Sequence, residues 1–134
     1  MTDLKPLILL LDDDVDFLEI HRHILEHHGY RVVCAEHPDA AWTLLEAERP
    51  ALIVSDLMMH SLDAGFSFAK RVKTSETYKS IPVIIATAVS SAAGLDFRPR
   101  TAADLAAMSA DAFLSKPIKA EELVSTIAKL LGHE

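Results

Sequence analysis

Five residues are placed where they could do chemistry together. Each follows or ends a short apolar run: Asp12 and Asp13 follow Leu7 to Leu11, Asp56 follows Ala51 to Ser55, Thr87 ends Val83 to Thr87, and Lys116 follows Asp111 to Ser115. Taken singly, each has an ordinary reading. Asp56 could merely cap a turn, as Asp often does. Asp12 and Asp13 could simply start a helix, Thr87 could be a strand-end threonine, and Lys116 a solvated lysine. Taken together they suggest more. Three carboxylates in one crevice repel one another, and at least one should then hold its proton unusually tightly. A bound cation relieves that repulsion. Oxygen ligands without imidazole or thiol favour a hard cation such as Mg²⁺. With the Lys116 ammonium added, the charges nearly balance. A carboxylate neutralised in this way, beside a cation, a hydroxyl and an ammonium, is a seat for a phosphoryl group. The cation and Lys116 would face its equatorial oxygens, and the carboxylate would attack in line.

For the five to meet, the apolar runs must be parallel strands whose C-terminal ends share one edge. Leu7 to Leu11 is too short for a helix and lies between Pro6 and Asp12. Asp14 can cap a helix from Val15 to His28, with Phe17, Ile20, Ile24 and Leu25 on one face and Gly29 as its stop. Tyr30 to Ala35 reads as a second strand. Pro38 and Asp39 open a helix through Trp42, Leu44 and Leu45. Ala51 to Ser55 has no polar alternation, which suits a central strand buried on both faces. Leu57 to Gly65 reads as a loop, and Phe66 to Lys73 as a helix burying Phe68, Ala69 and Val72. Val83 to Thr87 is the fourth strand. Thr101 can cap a helix from Ala102 to Met108, Asp111 to Ser115 is the fifth strand, and Glu121 to Leu131 is an amphipathic helix closed by Gly132. Five strands alternating with five helices predict a single α/β domain with helices on both faces of the sheet. In such a sheet, ligands sit at the carboxyl ends of the strands where the winding reverses. That crevice would fall between the first and third strands, which carry the acids.

The remaining features bound the function. At 134 residues the chain is one ordinary domain, and half of it is apolar. No stretch approaches the ~18 consecutive apolar residues of a membrane span, and Met1 to Pro6 lacks a signal-peptide layout. A formal net charge of −7 argues against direct nucleic-acid binding. Cys34, the single cysteine, cannot form an internal disulfide and fits a cytoplasmic setting. It reads as a packed residue. His21, His23, His27 and His28 on the first helix read as a solvated face rather than a zinc site. Trp42 reads as a packing residue.

Leu7–Asp14 (LILLLDDD), Leu52–Met59 (LIVSDLMM), Ile81–Ala88 (IPVIIATA) and Asp111–Ile118 (DAFLSKPI) together resemble the receiver domain of two-component response regulators, over essentially the whole chain. The resemblance implies a flavodoxin-like, doubly wound five-stranded parallel sheet of order 2-1-3-4-5. It implies a signalling domain rather than an enzyme, with Asp56 accepting a phosphoryl group from a phosphohistidine on a sensor histidine kinase or a histidine phosphotransfer protein. Asp12 and Asp13 would hold Mg²⁺, helped by Asp56 and the backbone carbonyl of Met58. Thr87 and Lys116 would bind the phosphoryl oxygens, Thr87 and Phe113 would be the switch residues, and the Lys116-Pro117 bond would be cis. The Ala102–Met108 helix, the fifth strand and the last helix would form the face that binds a downstream protein or a fused output domain. A second copy could also pair there. No output domain is expected within residues 1–134.

Three departures from the family pattern stand out. His60 replaces the usual proline after the acceptor. Asp63-Ala64-Gly65 is one residue longer than the usual Asp-Gly. The Thr87-to-Lys116 spacing is longer than is typical, with the excess in Ser90 to Arg100. Two other functions compete. Asp12-Asp13-Asp14-Val15 also fits the Asp-x-Asp-x-Thr/Val pattern of haloacid-dehalogenase-like phosphatases, with Asp12 as nucleophile. That reading leaves Asp56 without a role, and no later pair of strand-end acids follows, since Glu121 and Glu122 fall on a helix. A pseudo-receiver that only binds partners would not need so intact a set.

Overall fold

A computed structural model describes residues 5–56, 64–87, 110–116 and 118–132. The sheet has five parallel strands, β1 (Leu7–Leu11), β2 (Arg31–Ala35), β3 (Leu52–Asp56), β4 (Val83–Thr87) and β5 (Ala112–Ser115), in the order β2-β1-β3-β4-β5. The described helices are α1 (Val15–His27), α2 (Pro38–Ala47), α3 (Ala64–Lys73) and α4 (Ala120–Leu131), the last being the fifth helix predicted from the sequence. The predicted Ala102–Met108 helix lies outside the described residues, as do Ser90 to Arg100, Met58, His60 and Pro117 with the predicted cis bond.

The aliphatic runs are strands because both their faces are covered. Every residue of β1 and of β3 is buried. Leu9, Leu11, Ile53, Val83 and Ile85 face one way, onto Ala41 and Leu45 of α2 and Phe68, Ala69 and Val72 of α3. Ile8, Leu10, Leu52, Val54, Ile84 and Ala86 face the other, onto Leu18 and Leu25 of α1 and Leu123 and Ile127 of α4. This is the period-two division of a strand between two cores. The edge strand β2 is only partly buried until Ala35.

Capping follows the local chemistry. Asp14 Oδ1 accepts the amides of Asp16 (3.0 Å) and Phe17 (3.2 Å), so α1 begins where the sequence predicts. Gly132, at φ +76°, closes α4 in the left-handed conformation that glycine adopts most readily. Several expectations need correction. α3 begins at Ala64, inside the stretch predicted as loop. β3 extends through Asp56 itself, because its ladder with β4 pairs Asp56 with Ala86. The buried stripe of α1 is Leu18, His21 and Leu25, at i, i+3 and i+7, while Ile20 is 56% exposed. Trp42 packs as expected, edge-on to Phe68 and Tyr78, with the Arg71 guanidinium 3.8 Å from its ring centroid.

Candidate functional site

The site is built at the C-terminal ends of β1, β3 and β5. The Asp12 amide donates to the Ala35 carbonyl (3.1 Å), carrying the β1–β2 ladder one residue beyond the strand. Its Oδ1 then accepts the Asp14 amide (2.9 Å), a local turn that bends the chain into α1 and fixes the carboxylate. Asp12 is 1% exposed and Asp56 6% exposed, whereas Asp13 is not buried. Ligand oxygens of Asp12, Asp13 and Asp56 all lie within 4.8 Å of one another. The ladder explains the approach: β1 and β3 are neighbours, with Leu11 opposite Ser55, so the next residues, Asp12 and Asp56, share the crevice.

Lys116 supplies the positive charge. Its Nζ donates to Asp12 Oδ2 at 2.6 Å and lies 3.8 Å from Asp56 Oδ2. Lys116 directly follows β5, whose last residue, Ser115, is in register with Thr87, and its long side chain reaches Asp56 from two strands away and Asp12 from three. Buried carboxylates need such compensation. Among the described residues, one ammonium faces three acids, and a hard dication would balance the remaining negative charge. The all-oxygen donor set, two of its three members buried, fits such an ion. Thr87 closes β4 on the same edge. Phe113 is half-buried and packs with the core beneath α2 and α3, its backbone in register with Ile85. Met58 lies outside the described residues.

The spacing of the sequence does not announce the aromatic neighbour of Lys116. Nζ sits 4.3 Å from the Phe17 ring centroid. His21, expected on a solvated face, is only 7% exposed and stacks on Phe17 at 4.0 Å. It lies in the buried stripe of α1 with Leu18 and Leu25. Phe17, Ile20, His21, Lys116 and Ile118 help to line a cavity of about 330 Å³ beside the site. Of the other described histidines, His23 Nε2 lies 3.2 Å from Glu19 Oε2, His28 Nδ1 lies 2.9 Å from the Ile24 carbonyl, and the His37 side chain accepts the Ala40 amide at the start of α2.

A parallel sheet of this order, with an acidic crevice at its switch point and a lysine from the fifth strand, defines the class: the chain belongs to the response regulator receiver domain family, whose model matches residues 8–128. Members are signalling domains of two-component systems, and receiver domains generally bind Mg²⁺ at an acidic cluster of this kind. Among particular proteins, the chain is 31% identical over 128 residues to response regulator Rre1 of Synechocystis sp., covering 95% of this chain and 52% of that protein. It is 33% identical over 128 residues to response regulator MprA of Mycolicibacterium vanbaalenii, covering 92% and 49%. The chain thus spans about half the length of these relatives. The structure of chemotaxis response regulator CheY4 of Vibrio cholerae superposes with a TM-score of 0.78 at 26% identity, covering 94% of this chain and 98% of that one. The receiver domain of a signal transduction histidine kinase from Syntrophus aciditrophicus does so with a TM-score of 0.76 at 29% identity, covering 95% and 90%. No helix among the described residues is long and apolar enough to cross a membrane.

Proposed function

We propose that residues 1–134 form one receiver domain that accepts a phosphoryl group on Asp56 from a phosphohistidine of a histidine kinase or phosphotransfer protein. The observation that carries this reading is the convergence on one carboxylate: Asp56 ends a central buried strand, with oxygens of Asp12 and Asp13 within 4.8 Å and the Lys116 ammonium at 3.8 Å. An Asp56 oxygen attacks phosphorus, an O–P bond forms, and the P–N bond to the donor imidazole breaks with its electron pair leaving on nitrogen. Asp12, Asp13, Asp56 and the Met58 carbonyl would hold Mg²⁺, which when bound supplies positive charge against the transferring oxygens. Lys116 faces those oxygens from the other side, and Thr87 donates its hydroxyl to them. Asp12 is a holder rather than a nucleophile, since its two oxygens already serve the Asp14 amide and Lys116. This argues against the phosphatase reading.

Phosphorylation adds roughly −1.5 to −2 charge to the pocket. Thr87 and Phe113 pass this change to the face that includes β5 and α4, which a downstream protein or a fused output domain reads. Full switching between two states needs about 5.5 kcal/mol of differential stabilisation, and charge-assisted bonds from Lys116 and Thr87 contribute to it. Incubation with a small acyl phosphate and Mg²⁺ should add one phosphoryl group to the wild type, read by intact mass, and none to Asp56→Asn. Equal labelling of both would sink the assignment.

A further inference from the structure

We infer that Phe17 is a positioning residue for Lys116, its ring giving the ammonium an uncharged seat beside the Asp12 and Asp56 carboxylates. Three contacts converge on one nitrogen: Asp12 Oδ2 at 2.6 Å, Asp56 Oδ2 at 3.8 Å and the Phe17 ring centroid at 4.3 Å. The last is well inside the ~6 Å reach of attraction between a cation and an aromatic face. Phe17 is itself held at both ends. Its amide donates to Asp14 Oδ1 (3.2 Å) at the cap of α1, and its carbonyl lies 2.8 Å from His21 Nδ1. A carbonyl can only accept, so Nδ1 carries the hydrogen. The His21 imidazole then stacks on the Phe17 ring, with centroids 4.0 Å apart and planes 29° apart. A ring clamped in this way is a fixed surface.

The seat matters because Lys116 has a competitor. This point rests on the proposed reading, in which Asp12 also holds a divalent cation. An ammonium that loses Asp12 would swing toward solvent on its flexible four-carbon stem. An aromatic face retains it next to Asp56 while adding no negative charge, so the pull of Lys116 on phosphoryl oxygens is not spent on a carboxylate.

Phe17→Leu keeps apolar volume and removes the aromatic face, while Phe17→Tyr keeps the face. Without any phosphodonor, the Lys116 side-chain methylene resonances should be shifted upfield by the ring current in the wild type and in Phe17→Tyr, and should return to ordinary lysine positions in Phe17→Leu. With a small acyl phosphate at saturating Mg²⁺, Phe17→Leu should be labelled about three- to thirtyfold more slowly, the range expected for loss of one cation–aromatic contact. Phe17→Tyr should stay near the wild-type rate. Unshifted Lys116 resonances in the wild type, wild-type labelling by Phe17→Leu, or equal slowing of both variants would each overturn the seat. Shifted resonances in a wild type that takes no label would support the seat and count against phosphorylation of Asp56.

Discussion

At the scale of single residues, electrostatics dominates. Ligand oxygens of Asp12, Asp13 and Asp56 lie within 4.8 Å of one another, and among the described residues the Lys116 ammonium stands beside them, so three like charges meet at close range. Asp13 is the acid whose replacement disturbs the least packing, because it is not buried. Asp13→Asn should raise the urea midpoint in the presence of a chelator, corresponding to about 1 kcal/mol of unfolding free energy for two like charges some 5 Å apart in a water-like medium. The advantage should vanish or reverse in Mg²⁺, where the wild type gains a ligand. An unchanged midpoint in chelator would show that the three charges do not strain the fold. Cys34 behaves in the opposite manner. It is half-buried beneath α1 and α4, and burial pushes its thiol up, with only a smaller opposing pull from Arg22. A raised folded value means that stability from the neutral thiol is complete below the unfolded value and is lost as pH rises through the folded one. Alkylation of the native protein should therefore be slower than that of a free thiol at neutral pH and should accelerate only at higher pH than a free thiol does. Alkylation matching a free cysteine would contradict that burial.

At the scale of elements, the two ends of the sheet are pinned differently. β5 is seated by Asp111: its amide donates to the Val83 carbonyl (2.7 Å), and its Oδ2 accepts the Val83 amide (2.8 Å). The same oxygen pairs with Lys73 at 2.8 Å, and that ammonium also donates to the Ile81 carbonyl at 2.7 Å. One carboxylate thus joins α3, β4 and β5. Since β5 leads directly to Lys116, this joint also sets the reach of the lysine. Val83 is fully buried, so Asp111→Ala leaves its amide without that partner. The variant should lose about 1–3 kcal/mol in urea unfolding, whereas Asp111→Asn, which keeps an acceptor, should lose less. At the other edge, Arg31 of β2 pairs with Glu48 at the end of α2 (2.7 Å), and its Nε donates to the Lys5 carbonyl (3.1 Å). The Arg31 hydrogen bond holds the Glu48 carboxyl below its usual range. A lowered folded value contributes stability above the unfolded value and loses it as pH falls through the folded one. The difference in stability between wild type and Glu48→Gln should therefore shrink on acidification below the ordinary carboxylate range. A gap that stays constant with pH would show that the pair contributes no linkage.

At the scale of the whole molecule, the helices on both faces leave the strand ends as the natural place for a ligand. A cation bound there links to global stability, because the acids come together only when β1 and β3 are adjacent. Free Mg²⁺ at ten times its dissociation constant should raise the unfolding free energy by about 1.4 kcal/mol, and Asp12→Asn should abolish most of that gain. A Mg²⁺-independent thermal midpoint in the wild type would remove the cation from the account of this site.

Much of this was legible in the chain alone, for a physical reason. Short runs such as Leu7–Leu11 and Leu52–Val54, with no polar alternation, suit strands buried on both faces of a parallel sheet. Acids and a lysine at the ends of such runs then have one edge on which to meet. Strand order followed from the family resemblance rather than from the runs, and the observed β2-β1-β3-β4-β5 sheet agrees with it. Helix faces were less legible. Phe17 and Ile20 both look like core residues, but the rotation of α1 is set by what it packs against, and that buried Leu18 and His21 while leaving Ile20 outside. Nor does any spacing announce that Lys116, ninety-nine positions after Phe17, rests on its ring or that Asp111 accepts the amide of Val83. Types and order of residues determined which groups could assemble at the strand ends. Only the tertiary packing of α1 and β5 against the sheet decided which neighbours hold those groups in place, because such contacts join segments that local sequence does not relate.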